Sequence, residues 1–181
     1  GVPDVPPRRP GVRPTTVYLF QSVRDPKIVK VGYTSRPTNE RLAELSRKIE
    51  GGLKTRLEVT LPHGWHAEQA AHEDLRGRGW QRGARGLGTE WYRLPSEGRL
   101  EDVKAALMNA ARRTRKAAER RRSWPGLGAV RVWEAGVDRS RVARGVRDGT
   151  VSVAEGSRLL RAVTPEELEE MVGVEMKGRS R

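Results

Sequence analysis

A phenol, an ammonium and a guanidinium, Tyr18, Lys30 and Arg41, stand within the first quarter of the chain. Cations beside a phenol favour its phenolate, which with an ordinary pKa of about 10 is otherwise scarce at neutral pH. A guanidinium also presents a planar fork of donors that fits a phosphate better than an ammonium does. Further along, Glu68 and His72 are four residues apart, so a helix would set the carboxylate and the imidazole on one face. Each of these residues has a plain alternative: Tyr18 and Tyr33 as ordinary strand residues, Glu68 and His72 as a surface pair.

The chemistry therefore depends on the elements that would bring these side chains together. Thr16 to Phe20 and Ile28 to Tyr33 are short runs rich in β-branched and aromatic residues, separated by Arg24-Asp25-Pro26, and they read as a β-hairpin. Thr38 then caps a helix over Glu40 to Ile49, which carries Arg41 on its first turn and stops at Gly51-Gly52. This order predicts that Tyr18, Lys30 and Arg41 converge on one end of the hairpin. Leu53 to Leu61 alternates, with Leu53, Thr55, Leu57, Val59 and Leu61 on one face, and predicts a third strand. Pro62-His63-Gly64 ends it, and a helix of about ten residues from near His66 carries Glu68 and His72. Arg76 to Gly88 reads as a long Gly/Arg loop, a substrate-contacting segment or else plain connecting chain. Glu90 to Leu94 predicts a short closing strand.

Thr16-Val17-Tyr18 and Lys30-Val31-Gly32, with eleven residues between Tyr18 and Lys30 and Arg41 following in a helix, resemble the core of the GIY-YIG nucleases. More narrowly they resemble the branch named after the phage T5 orf172 domain, in which the second motif commonly reads Lys-Ile-Gly with a Thr shortly after, here Thr34. Glu68 and His72 in AEQAAHEDL, and Gly88-Thr89-Glu90-Trp91-Tyr92, are similar to that branch's helical Glu and His and to its closing box. Lys30 stands where the broader superfamily has its second Tyr. The resemblance covers residues 15–95 and implies metal-dependent hydrolysis of a phosphodiester. In it Tyr18 would act as general base on water and Arg41 would neutralise the scissile phosphate. Lys30 would assist Tyr18 or contact the phosphate, and Glu68 would hold one divalent cation, Mg²⁺ or Mn²⁺. His72 would orient the water or a phosphate, Glu90 would support the metal or cap the core, and Tyr33 would give further support.

The composition agrees with an anionic partner. The formal charge is +13 over 181 residues and the hydrophobic fraction is a lean 35%. Each Lys or Arg placed on a phosphate releases a condensed counterion, so nucleic acid is the simplest partner. A membrane surface is the rival for basic charge, but no run approaches about 18 apolar residues and no signal peptide precedes the hairpin. With no Cys, disulfides and thiolate zinc sites are excluded and a reducing cytoplasm is expected, as for a nucleoid-associated bacterial or phage-encoded protein. His63, His66 and His72 lack the partners of a four-ligand zinc site. Trp65, Trp80, Trp91, Trp124 and Trp133 are scattered too widely for a base-stacking platform and read as core or hinge anchors.

Outside the central stretch, residues 1–14 are rich in Pro and Arg and read as a disordered tail. Glu97 to Arg122 reads as a helix with an apolar stripe of Leu100, Val103, Leu107, Ala110, Ala111, Thr114 and Ala118. Its second half carries Arg112, Arg113, Arg115, Lys116, Arg120, Arg121 and Arg122 over more turns than a helix dipole can use, so it suits a run of phosphates; a solvated face is the alternative. Ser123 to Gly128 is the expected linker. Beyond it, short helices are expected over Ala129 to Ala135, over Arg139 to Val146 after Asp138, from the capping box at Ser152 through Val163, and from Thr164-Pro165 onward, with a basic tail over 173–181. The first two resemble a helix-turn-helix, with Arg139, Ser140, Arg141, Arg144 and Arg147 facing DNA. A small helical bundle that only dimerises is the alternative.

The expectation is an α/β (α+β) nuclease-like domain over 15–98, a small mixed sheet with flanking helices, then a basic helix over 99–122 and an all-α helix-turn-helix-like domain over 129–172. Its function would be a metal-dependent DNA endonuclease, for which a homodimer suits a double-strand cut. A non-catalytic DNA-binding regulator with a degenerate nuclease fold, and structure-specific RNA binding, are the other readings.

Overall fold

The computed structural model of the chain describes residues 14–78, 80–83, 88, 90–121 and 130–178. The expected linker, Arg122 and nearly all of the amino-terminal tail lie outside them. The chain divides into two units, Gly1–Val132 and Trp133–Arg181.

The first unit is a mixed α+β layer structure. In chain order its elements are β1 (Thr15–Ser22), β2 (Ile28–Thr34), α1 (Thr38–Ser46), β3 (Leu53–Leu61), α2 (Gly64–Gly77), β4 (Gln81–Arg82), β5 (Trp91–Arg93), a 3₁₀ turn (Glu97–Arg99) and α3 (Leu100–Arg120). Its strands hydrogen-bond in the order β4-β5-β2-β1-β3, and every described pairing is antiparallel. The predicted hairpin is present, with Tyr18 opposite Gly32 and Phe20 opposite Lys30. β1 is buried from Val17 through Ser22, as a central strand covered on both faces must be.

Three local expectations are corrected. Thr38 does not cap α1; it is the first helical residue, after Pro37, and its hydroxyl bonds Glu58 instead. The helix ends at Ser46, and the bonds from Lys48 to Leu45 and Ile49 to Ser46 tighten into three-residue turns. The single apolar face expected for β3 is split by a bulge: Leu19 faces Leu57 while Phe20 faces Thr55, leaving Arg56 as the extra residue. Leu53 and Thr55 thereby share the face of Tyr18 and Phe20, and Leu57, Val59 and Leu61 share the other. Leu53 then joins Tyr18, Phe20, Ile28, Leu45 and Trp91 in the core against Leu42 of α1.

α2 begins earlier and runs longer than expected, through 14 residues. His63 turns left-handed (φ 60), and the Gly64 N–H donates to Thr15 Oγ1 at 2.7 Å. A Cβ on Gly64 would run into that hydroxyl, so glycine is what lets the helix start against β1. The expected Arg76–Gly88 loop is a helix end at one side and β4 near the other, and much of the rest lies outside the described residues. The stripe on α3 is buried as expected and packs on α2 and β3, so this basic helix belongs to the first unit's core.

The second unit follows β6 (Arg131–Glu134), which spans the boundary, and contains α4 (Arg139–Asp148), α5 (Val153–Leu160) and α6 (Pro165–Gly178). Where a helix is expected over Ala129 to Ala135, Arg131–Glu134 is a strand, and Ala129 lies outside the described residues. Arg-Val-Trp-Glu alternates, Arg131 and Trp133 exposed and Val132 and Glu134 buried, which is a period of two. Without that first helix the helix-turn-helix as drawn is absent. The caps hold: Asp138 accepts from Arg141 N, Ser152 from Glu155 N and Thr164 from Glu167 N, each at 3.1 Å. α5 stops at Leu160, short of Val163, where Arg161 turns left-handed and its guanidinium pairs with Glu134. α6 runs to Gly178 through most of the expected basic tail.

Candidate active site

The first unit brings the sequence-predicted residues together at one end of its sheet. Tyr18 is buried, stacks on Phe20 with centroids 4.0 Å apart, and hydrogen-bonds Arg41 on the first turns of α1. Its ring lies over Gly32, where a Cβ would meet the hydroxyl and the ring. The glycine of the Lys-Val-Gly triplet thus makes room for the phenol. Tyr18, Tyr33, Thr34, Ser35, Arg36, Arg41 and Glu90 line a cleft of about 300 Å³. Arg36 and Arg41 are both anchored to Glu44, at 2.8 and 3.1 Å, and these cations hold its carboxyl below the usual range.

Lys30 is buried and pairs with Glu90, with its ammonium 5.9 Å from the centroid of the Trp91 ring. Burial lowers the pKa of Lys30 and the Glu90 carboxylate opposes this. Glu68 and His72 lie on one face of α2, both buried, with Oε1 and Nε2 2.7 Å apart. Neither of those two atoms has a further polar partner among the described residues. Glu68 Oε2 instead accepts from Gln69 at 2.8 Å, and His72 Nδ1 meets the Tyr92 hydroxyl at 2.6 Å. Ligand atoms of Glu68, His72 and Glu90 all lie within 4.8 Å of one another.

One electrostatic expectation is overturned. The Tyr18 phenol is pushed above its ordinary value: burial raises it, Arg41 pulls it down by hydrogen bond and charge, and Glu90 and Glu68 raise it again. Lys30 does not flank the phenol as a second cation because Glu90 takes up its charge. Residue types alone did not show Tyr92 as the partner that orients His72, although it stands in the closing box beside Glu90. Arg36 and Ser35 were also missed in the cleft wall, where their only signal was their place between β2 and α1.

The candidate DNA contacts divide. On α3, Arg113, Lys116 and Arg120 are exposed, as is Arg121 just after it; Arg112 is half-buried and bonds Asn109, and Arg115 is half-buried and pairs with Glu119. On α4, Arg141 and Arg147 are exposed and Ser140 and Arg144 half-buried. Arg139 is a correction: it is buried, pairs with Glu175 at 2.7 Å and donates to the Leu160 carbonyl, so it holds the second unit together. Trp91 is in the core as expected, whereas Trp65 and Trp133 are exposed. Among the described residues no helix is long and apolar enough to cross a membrane.

No curated protein and no solved structure matches the chain. The T5orf172 domain matches residues 15–111, more than half of the 181. Tyr18, Lys30, Arg41, Glu68, His72 and Glu90 all fall inside that span, together with the first half of α3, and the chain belongs to the T5orf172 domain family.

Proposed function

We propose that the chain is a metal-dependent DNA endonuclease that hydrolyses a phosphodiester in the cleft bounded by Tyr18, Arg41 and Glu90. The observation that carries this is the convergence of the Tyr18–Arg41 pair with the Glu68–His72–Glu90 group, in a family of nuclease-like, DNA-binding domains. Glu68 Oε1 and His72 Nε2 are buried ligand atoms that face each other at 2.7 Å with no other partner among the described residues, and together with Glu90 they are a donor set that a cation could share. Two carboxylates suit Mg²⁺ or Mn²⁺. Bound there, the ion would neutralise charge on the phosphoryl oxygens and acidify a water.

The chain's own residues supply the rest. Arg41 donates to a phosphoryl oxygen, its fork held by Glu44. In its phenolate form, Tyr18 Oη takes a proton from the attacking water as the water oxygen bonds to phosphorus; the bond to the leaving oxygen breaks, and that oxygen departs as an alkoxide that takes a proton from solvent. Burial keeps this phenol protonated at neutral pH, so cleavage should rise with pH into the alkaline range. Tyr92 fixes the His72 ring, and Lys30 holds Glu90 at the cleft. The exposed cations of α3, with Arg141 and Arg147, offer sequence-independent phosphate contacts.

The test is cleavage of supercoiled plasmid with Mg²⁺ or Mn²⁺ by the unmodified chain, Glu68→Ala and Tyr18→Phe. Metal-dependent nicking or linearisation that both substitutions abolish is the expected result. Plasmid that is bound but uncut under every metal, with variants binding equally well, would instead make this a DNA-binding regulator on a nuclease fold.

A further inference from the structure

Two large aromatic side chains stand in water, one in the cleft wall and one on the helix that carries Glu68 and His72, and the hydrolysis above uses neither. Tyr33 is 41% exposed and Trp65 47%. Tyr33 is the penultimate residue of β2, opposite Val17 near the start of β1, and forms part of the cleft wall with Tyr18, Arg41 and Glu90. Trp65 is on the first turn of α2. The Gly64 N–H beside it donates to Thr15 Oγ1 at 2.7 Å, which ties this turn to the same end of β1 that Tyr33 faces. Positions 65, 68 and 72 follow the i, i+3, i+7 pattern, so Trp65 shares a face of α2 with Glu68 and His72. The indole is braced edge-on by His66, with centroids 4.8 Å apart and planes at 72°. Arg36 and Arg41 line the same cleft as Tyr33, so two cations and an exposed aromatic side chain share its wall.

We propose that Tyr33 and Trp65 are stacking walls for unpaired bases next to the scissile phosphate, so that the site takes single-stranded or locally opened DNA in preference to continuous duplex. In a duplex both faces of a base are covered by its neighbours, and neither side chain can stack without unstacking them. An unpaired nucleotide offers a bare π-face, and interleaved aromatics and cations are what a single-strand track requires. The proposal rests on the nuclease reading for the position of the scissile phosphate.

The full chain is assayed in EDTA, so that no strand is cut, by fluorescence anisotropy of one labelled DNA sequence. It is presented as a single strand, as a duplex and as a duplex with a central unpaired bubble, beside an RNA strand of the same sequence. Tyr33→Leu and Trp65→Leu should each weaken single-strand and bubble binding by about tenfold and leave duplex binding within about twofold, while Tyr33→Phe binds like the unmodified chain. The slope of affinity against salt should not change, because no charge is removed. Both positions are exposed, and unchanged melting curves would exclude misfolding. Equal losses on all DNA substrates, or no loss on any, would overturn the proposal, and RNA bound as tightly with the same dependence would overturn the assignment to DNA. Aromatic-dependent single-strand binding by a chain that cuts no plasmid would sink the nuclease reading alone. Plasmid cutting with aromatic variants that bind normally would sink this proposal alone.

Discussion

Adding one methyl group at Gly32 tests where the Tyr18 phenol sits. The alanine Cβ would overlap the Tyr18 hydroxyl and Cζ and stand 3.1 Å from Cε1. The ring has nowhere to retreat, because Phe20 stacks on it at 4.0 Å with planes 16° apart. Overpacking of this kind costs about 1–3 kcal/mol. Losing the hydrogen bond to Arg41 adds about 1 kcal/mol, below the range for buried charged partners because the Arg41 side chain is 33% exposed and can rehydrate. Alanine in a strand recovers about 0.5–1 kcal/mol over glycine. The net expectation for Gly32→Ala is a loss of about 2 kcal/mol, or a fall in melting temperature of about 8 °C for a unit of this size. Tyr18→Phe keeps the ring on Phe20 and should cost about 1 kcal/mol or less. Because it removes one of the overlapping atoms, the double variant should be less destabilised than the sum of the two. Circular-dichroism melts of the three variants decide the matter. Gly32→Ala melting at or above the unmodified chain, as strand propensity alone would give, would refute the placement of the ring.

Burial raises the Glu58 carboxyl and the Thr38 hydroxyl only partly opposes it. The folded chain therefore holds that proton more tightly than the unfolded one, so the stabilisation is present below the ordinary value of 4.5 and is lost as pH rises through the folded value. Glu58→Gln should raise the melting temperature at neutral pH with the gain vanishing in acid, and a gain that persists when both states are protonated would count against this. Arg139→Ala should cost the second unit about 3 kcal/mol by stranding Glu175, while Arg141→Ala, on the exposed face of α4, should stay within about 0.5 kcal/mol; urea titrations compare them. Glu90→Gln should tighten metal-free DNA binding and weaken the response of cleavage to metal, and unchanged affinity in EDTA would contradict the charge balance argued below.

The hairpin, β3, α2 and the caps of α4, α5 and α6 were legible because each is written in local pattern: alternation, a turn, a capping residue in register. The Tyr18, Lys30, Arg41, Glu68 and His72 set was legible because the hairpin and two helix starts fix where those side chains must go. What failed was decided by longer-range matters. Arg56 looked like one more outward residue of β3, and only pairing with β1 made it a bulge. Arg139 looked like a cation for DNA, since nothing nearby in sequence announces Glu175. The seven residues from Ala129 to Ala135 were too short for a helical period to be told from an alternating strand, and the period-two order of Arg131 to Glu134 was the signal passed over. Burial is equally invisible to spacing. It reversed the expected direction of the Tyr18 pKa, because a phenol deep enough to lie over Gly32 loses more from desolvation than one guanidinium returns.

The charges around the cleft account for why a metal would be needed at all. Lys30, Arg36 and Arg41 bring positive charge, and Glu44, Glu68 and Glu90 match it, with each cation paired to a carboxylate. Tyr18 adds nothing, since its raised pKa keeps it neutral. A chain of net charge +13 therefore carries a candidate pocket that is itself close to neutral. Overall attraction for DNA would then come from the cations elsewhere, such as the exposed ones on α3, and would survive removal of metal. Selective attraction for the transition state does not, because hydrolysis concentrates further negative charge on the phosphoryl oxygens and the pocket holds no surplus cation to meet it. On the proposed reading a dication held by Glu68, His72 and Glu90 would supply that surplus, so binding and cutting should part company in EDTA.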